Sequence, residues 1–337
     1  MIGNALKITL MQEKIDRKRD TDIVWYYCNR DVFKSIVTRH ELWLSDITKS
    51  NDANEIKSSL QFAKKSFNSK LKKTFEFKDN ALIEKLLNIY NARIEKTEII
   101  CYWFAMCFSK TGNNLIHWRA YGDNGKGFSI GFSYTALKEL IKEYSSDGKR
   151  NIFIDNVEYV MPLQSFDRKV ATTDKRICFI NDVNEKLCEL LKRLWEGKNT
   201  NETNLYERVE SAIRDSISEM VVKIAFYKDS DFSMENETRI CYSRYISHKK
   251  LAFLNISKKS LLKTLDFTFN DNDITPHVTL KIQGIQKYIK EIYIGPNNNA
   301  TKHTLWSFLI NKGNFFDYGK NEPDKRLIIK KSEISCR

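Results

Sequence analysis

Glu98-Ile99-Ile100-Cys101-Tyr102-Trp103-Phe104-Ala105-Met106-Cys107-Phe108-Ser109 is the stretch on which the fold turns. It is aromatic and β-prone, and it contains neither Gly nor Pro. Such a run predicts a central strand over Glu98–Ser109, buried on both faces. Its apolar part, Ile99 to Phe108, is the longest in the chain and is far short of the roughly 20 residues that span a bilayer. The expectation is a cytoplasmic, soluble protein with no membrane partner.

Upstream, Ile56, Leu60, Ala63, Phe67 and Leu71 recur at helical spacing. A second helical pattern from about Asn80 to Lys96 carries Leu82, Leu86, Ile89 and Ile94, so the two predict a hairpin of helices. Earlier still, Ile23–Cys28 predicts the first strand, Asp31–Arg39 a short helix and Glu41–Ser45 a strand, with a polar loop over Asp46–Asn54. Asp31 is either the N-cap of its helix or in its first turn. Downstream come a short helix over Leu115–Gly122, strands over Phe128–Phe132 and Ile152–Val160, and a helix over Tyr134–Tyr144. Helices follow over Asn181–Trp195 and Asn204–Phe226. Strands follow over Thr238–Tyr245, Lys250–Leu254 and Ile289–Ile294, and Ala300–Asn311 is a last helix. Strands among helices of unequal length give an α+β class, with a central mostly antiparallel sheet, a helical hairpin and flanking helices. Residues 1–22 read as an N-terminal arm. Residues 23–337 read as one α+β domain with helical insertions at about 52–97 and 181–226.

The composition narrows the partners. The 337 residues carry 56 Lys and Arg against 43 Asp and Glu, a formal charge of +13 that favours polyanions. Scattered surface Lys in an Asn-rich chain is the plainer explanation. Only 4 Pro and 12 Gly, with 42% hydrophobic residues, describe a packed chain rather than a linker or a disordered one. The 7 Cys show no Cys-x-x-Cys and no zinc-type spacing with His, so reduced thiols and no metal are expected.

Three segments could carry chemistry. Asn51-Asp52 with Glu55 has the spacing of a capping box, and Asp52 and Glu55 could instead sit at the mouth of a pocket. His117-Trp118-Arg119-Ala120-Tyr121-Gly122 precedes Gly125, Gly127 and Gly131, whose spacing is not the dinucleotide fingerprint. Trp118 and Tyr121, three apart on a helix, share a face that either stacks a nicotinamide or base, or belongs to the core. His117 with Arg119 could bind phosphate. In Glu235-Asn236-Glu237-Thr238-Arg239-Ile240, strand alternation puts Glu235, Glu237 and Arg239 on one side. Two carboxylates there repel, so one pKa rises unless Arg239 or a ligand compensates. Such a pair suits sugar chemistry, one acid steadying an oxocarbenium ion and the other taking a proton from the nucleophile. A self-neutralising surface ladder is the bland reading.

In this order, Leu42-Trp43-Leu44-Ser45, Asn51-Asp52, Cys107-Phe108-Ser109, Trp118 to Phe132, Glu235-x-Glu237-x-Arg239 and Ile292-x-Ile294-Gly295-Pro296 resemble the bacterial domain-of-unknown-function family 2971. The resemblance spans roughly residues 23 to 300, and some members look like accessory genes of phage defence, which implies a partner protein of a defence system. The layout is also similar to the ADP-ribosyltransferase superfamily, with Tyr26, Ser109 and Glu237 in its three characteristic places. Tyr26 stands where many relatives carry His or Arg. What the resemblance implies is NAD as the small-molecule partner. Glu237 would then hold the nicotinamide ribose and Glu235 would orient the acceptor. Tyr26, Ser109, Trp118, Tyr121 and Arg239 would bind the cofactor. The competing expectation is a nucleic-acid-binding or nuclease-type effector that meets phosphates through Lys57, Lys64, Lys65, Lys72 and Lys73. A non-enzymatic sensor or partner subunit is the third.

Overall fold

The computed structural model describes residues 22–49, 53–75, 80–145, 152–161, 173–197, 202–245, 262–270, 273–315 and 327–335. In chain order the elements are β1 (Ile23–Cys28), α1 (Arg30–Arg39), β2 (Glu41–Asp46), α2 (Ala53–Thr74), α3 (Asn80–Ile100) and β3 (Cys101–Ser109). Then come α4 (Leu115–Ala120), β4 (Phe128–Ser133), α5 (Tyr134–Ser145), β5 (Ile152–Asn156) and β6 (Glu158–Val160). The rest are α6 (Lys175–Glu196), α7 (Glu202–Ile224), β7 (Tyr227–Asp229), β8 (Glu237–Tyr245), β9 (Leu262–Asn270), β10 (Asp273–Lys281), β11 (Ile289–Ile294), α8 (Lys302–Gly313) and β12 (Ile328–Lys331). The class is α+β, with a mostly antiparallel mixed sheet.

The central strand is shorter than its composition suggests. Ile99 and Ile100 close helix α3, and the strand starts at Cys101. Over Trp103–Met106 and at Phe108 and Ser109 the side chains of β3 are buried toward both faces, as its apolar character demands, and Cys107 is exposed. Phe104, Met106 and Phe108 face one core, which also holds Ile130, Ile240 and Ile292. Trp103 and Ala105 face the other, built from α2, α3, α6 and α7. In that helical half Phe67 stacks on Tyr90 at 3.9 Å, and the Tyr90 hydroxyl donates to Asn184 Oδ1 at 2.9 Å.

One edge of β3 is fully occupied, because β8 pairs with it from Cys101–Tyr245 to Ser109–Glu237. The other edge is shared. β1 meets it at Trp25–Ser109, whereas β2 meets it at Ser45–Ala105 and Asp46–Phe104. The two strands therefore part company alongside Met106, Cys107 and Phe108, and a gap opens between them.

Other boundaries differ in detail. Asn29 caps α1, its side chain accepting from Val32 N, and Asp31 lies in the first turn. Helix α6 begins at Lys175 behind an Asp174 cap, six residues ahead of the expected Asn181. The expected strand over 152–160 is two strands, the second pairing with β7. Arm residues 1–21, the Asn51-Asp52 pair and the expected strand Lys250–Leu254 lie outside the described residues.

Two glycine-bearing loops brace the sheet end nearest β1. Gly295 N donates to Gly127 O at 3.1 Å and Asn297 N to Gly125 O at 2.9 Å. The approach leaves no room for side chains: a Cβ on Gly127 would lie 2.0 Å from Cys28 O, and one on Gly295 would lie 2.2 Å from Gly125 O. Both obstacles are backbone, so neither can swing aside. Gly127→Ala is expected to cost about 2–4 kcal/mol in urea unfolding, because the β1 end must move. Gly284, whose φ is +67° with only flexible side chains nearby, should tolerate Ala with a loss of roughly 1–2 kcal/mol. Equal losses at the two positions would contradict the packing argument.

Candidate active site

The gap between β1 and β2 is the mouth of a cavity of about 590 Å³. Its size falls among those of small-molecule and cofactor pockets. Strand β3 supplies one wall through Met106, Cys107, Phe108 and Ser109, and β1 supplies Tyr26 and Tyr27. Trp43 and Asp46 come from β2, His117 and Tyr121 from α4 and its end, and Lys228, Glu235 and Glu237 close the floor.

The acidic floor depends on a local backbone feature. Glu235 ends a 3-10 turn over Ser230–Glu235, and Asn236 adopts the left-handed conformation with φ 45° before β8 begins at Glu237. Asn tolerates that conformation better than most residues. Glu235 is therefore not on the strand, and the alternation expected from Glu235 to Arg239 holds only for Glu237 and Arg239. The two carboxylates nevertheless converge, on Lys228. Lys228 Nζ lies 2.7 Å from Glu235 Oε2 and 3.5 Å from Glu237 Oε2.

Arg239 completes the cluster from behind. Its Nε and Nη2 donate to the two oxygens of Glu237 at 3.0 and 2.9 Å, and its Nη1 donates to Ala225 O at 2.9 Å. Glu237, Lys228 and Arg239 are all buried. Burial alone would raise the Glu237 pKa. The Arg239 charge and its hydrogen bonds, followed by Lys228 and Cys107, outweigh it and hold the carboxyl below its ordinary value. Glu237 N donates to the Tyr159 hydroxyl at 2.8 Å, and burial pushes that phenol up to about 12.

Around this floor the groups are mixed. The Tyr121 hydroxyl donates to Glu235 Oε1 at 3.1 Å, and burial raises its pKa. His117 stacks on Tyr27 at 5.2 Å, and its Nε2 lies 3.3 Å from Glu235 O. Burial holds the imidazole pKa below its usual value, so His117 is neutral at pH 7. Ser109 Oγ accepts from Thr111 N at 3.1 Å and lies 3.1 Å from Thr111 Oγ1, which fixes it at the strand end. The Tyr26 hydroxyl is deeply buried, which raises its pKa. Trp43 stands half exposed at the mouth, stacked on His277 at 4.3 Å.

Of the residues expected from the sequence, Tyr26, Ser109, Tyr121, Glu235 and Glu237 line this one cavity. Trp118 does not. Helix α4 ends at Ala120, so Trp118 and Tyr121 diverge. Trp118 is 0% exposed, packed with Ile23, Trp25 and Tyr27, and its Nε1 donates to Asn113 Oδ1 at 2.9 Å. It has no face left for a ligand. Arg239 lies behind Glu237 rather than on the cavity wall, so its part is to position the acid. Lys57, Lys65, Lys72 and Lys73 are exposed on α2, and Lys64 pairs with Glu95 at 3.1 Å. Lys65 and Lys73 border a separate groove of about 500 Å³ between α2 and α6. Trp43, Cys107 and His117, which stand in segments the sequence singled out, also line the cavity, His117 without Arg119, whereas Lys228 and Asp46 are cavity residues that the sequence reading did not assign to this site. A single Lys after the apolar run Ala225-Phe226-Tyr227 was the available signal for Lys228.

Fold and site together define an α+β protein whose divided sheet holds two glutamates, Glu235 and Glu237, at the floor of a cleft. Residues 117–240 match the model of the family described as Protein of unknown function (DUF2971), which supports the family resemblance over that segment. The matched stretch runs from His117 through the acidic floor to Arg239. No curated protein and no solved structure matches the chain. Among the described residues, no helix is long and apolar enough to cross a membrane, and no three His, Cys, Asp or Glu side chains are grouped to hold a metal ion.

The cluster makes a pH-dependent prediction. Because the folded pKa of Glu237 is depressed below 4.5, its pairing stabilises the protein above that pH and the contribution is lost as acid protonates the folded carboxyl. In Arg239→Leu the acid keeps its burial and loses its main partner, so about 3–5 kcal/mol should vanish at neutral pH. Protonation relieves that stranded charge. The stability gap between wild type and variant, read from urea unfolding at pH 7 and pH 4, is expected to narrow at pH 4. A gap independent of pH would mean that Arg239 acts by packing alone.

Proposed function

We propose that the chain is an ADP-ribosyltransferase-like enzyme that breaks the N-ribosyl bond of NAD at the Glu237 floor. What carries this reading is the adjacency of three distant segments across the sheet. Trp25, beside Tyr26, is the partner of Ser109, and Ser109 is in turn the partner of Glu237. The three positions that the superfamily resemblance picks out thus fall side by side on one cavity.

The donor set suits this chemistry. Glu237 stays ionised, which fits it to accept a ribose hydroxyl and to steady positive charge on the ribosyl carbon as nicotinamide departs. Glu235, tethered by Lys228 and Tyr121, stands where it can accept the proton of an incoming hydroxyl. Tyr121 and Trp43 offer exposed ring faces for a flat heterocycle. Lys228 is already shared by two carboxylates, so the fit is to the nicotinamide riboside half, with the pyrophosphate directed toward the mouth. We place the protein in the cytoplasm. Among its described cysteines, Cys28 and Cys188 are in no disulfide, in keeping with a reducing compartment. A partner in phage defence remains part of the same proposal, on the family resemblance alone.

A second reading has its own observation. The groove bordered by Lys65 and Lys73 lies along α2, those two residues standing about 18 and 30 Å from the start of the helix at 1.5 Å per residue. A nucleic-acid strand could reach both, a small substrate could not. Nucleic acid is the acceptor that this reading offers, and direct binding without catalysis is its minimal form.

The test uses labelled NAD with single-stranded RNA, DNA or protein as acceptor, followed by product separation. Glu237→Gln is expected to lower NAD consumption by about a hundredfold or more. Circular dichroism must accompany it, since the change weakens a buried ion pair. Glu235→Gln is expected to lose transfer to the acceptor while NAD hydrolysis continues. If wild type leaves NAD intact with every acceptor, or if Glu237→Gln consumes it at the wild-type rate, the proposal fails.

A further inference from the structure

A second cavity of about 600 Å³ lies on the other side of the β1–α1 junction. Cys28, Asn29 and Val32 line the first cavity, whereas Arg30, Phe33 and Lys34 line the second. The two share no lining residue. Three cations converge on the second, namely Arg30, Lys34 and Lys126, and no carboxylate lines it among the described residues. None of the three side chains has an ion-pair partner among the described residues. A concave surface with three positive charges and no lining carboxylate among the described residues carries a field that favours an anion.

Its construction is rigid. Asn298 Nδ2 donates to Lys126 O at 2.8 Å and to Gly127 O at 3.2 Å, and Asn297 Nδ2 donates to Asn124 O at 2.8 Å. Lys331 Nζ donates to Gly295 O at 2.8 Å and also to Asn298 O. The loop bearing Lys126 is thereby locked to the Gly295-Pro296-Asn297-Asn298-Asn299 loop, so the position of the Lys126 backbone is set before any ligand arrives. The floor is apolar. Phe33 stacks on Phe128 at 4.0 Å and lies 6.3 Å from Phe308, with Leu305 beside them. Asn299 and Thr304, both exposed at the rim, supply neutral donors and acceptors.

Cations above an aromatic floor, with amides at the rim, match a ligand that has a phosphate end and a flat heterocyclic end. We propose that this cavity is a binding site for a free nucleotide, its phosphates met by Arg30, Lys34 and Lys126 and its base laid against the half-buried ring of Phe308. The site does not rest on the reading of the first cavity. It also gives a role to the Gly127 and Ile294-Gly295-Pro296 segments, which the acid pair leaves unused. The charge favours a di- or triphosphate over a monophosphate, since more than one cation must be matched. A nucleic-acid strand would use the same cations but not the closed floor.

Calorimetric titration of the full chain tests this with ADP, adenosine, inorganic pyrophosphate and a short single-stranded oligonucleotide. ADP is expected to bind at least about tenfold more tightly than adenosine or pyrophosphate, because each lacks one half of the recognition. The double variant Lys34→Gln/Lys126→Gln, both exposed positions that should fold normally, is expected to weaken ADP by about tenfold or more. Glu237→Gln should leave ADP affinity unchanged, which separates this site from the first cavity. Equal ADP affinity in wild type and the double variant would overturn the assignment, as would no binding of ADP at millimolar concentration. Tighter binding of the oligonucleotide than of ADP, lost in the same double variant, would reassign the surface to nucleic acid and overturn the free-nucleotide proposal.

Discussion

Everything in this molecule is arranged around the two edges of β3. A strand buried on both faces must find hydrogen-bond partners along its length, because an unpaired peptide group away from water is costly. β8 meets that demand along one whole edge. The other edge is divided between the ends of β1 and β2, and the strands diverge between those contacts. The cavity is the geometric remainder of that division. It sits beside the backbone of Met106, Cys107 and Phe108, so one wall is chain that regular pairing with β1 or β2 does not cover.

The same arrangement sets the electrostatics. Pairing Ser109 with Glu237 brings an acid to the gap, and the register puts Arg239 opposite Cys107 on the same strand. Lys228 arrives on β7, whose neighbour β6 leads back toward β5 and the sheet. Two carboxylates and two cations then neutralise one another in a buried setting. The balance decides which chemistry the acids can do. A carboxylic acid kept neutral could donate a proton, but Glu237 is held ionised and can only accept hydrogen bonds and steady positive charge. The floor is therefore suited to a developing cation, and poorly suited to protonating a leaving group.

The sequence revealed periodic elements and lost those that depend on tertiary context. Helix α2 was legible because Ile56, Leu60, Ala63, Phe67 and Leu71 repeat over about four turns, and all are buried. Ile99 and Ile100 were misread because β-branched residues at a helix end look like the start of the strand that follows. The β9–β10 hairpin escaped because β10 contains Pro276, which argues against a strand. At the site, Glu237 and Arg239 were legible from strand alternation alone. Lys228 was not, since a 3-10 turn and a left-handed Asn lie between it and Glu237. Trp118 misled for the opposite reason, as a helix of six residues is too short for the i, i+3 face to persist to Tyr121.

The order of motifs along the chain has a mechanical explanation. Gly127 must be Gly because Cys28 O presses on it, and Cys28 is the last residue of β1 before Asn29 begins α1. Gly295 must be Gly because Gly125 O presses on it in turn. The β1–α1 junction is thus clamped from behind by a stack of two glycine loops, and its front face carries Asn29 into the first cavity. A side chain added at either glycine would displace the junction, and with it Tyr26, Tyr27 and Cys28 at the cavity wall. Segments that look like separate signatures in the sequence are consequently parts of one support. The acid pair supplies the reactive floor, and the glycine loops hold the opposite wall at a fixed distance from it.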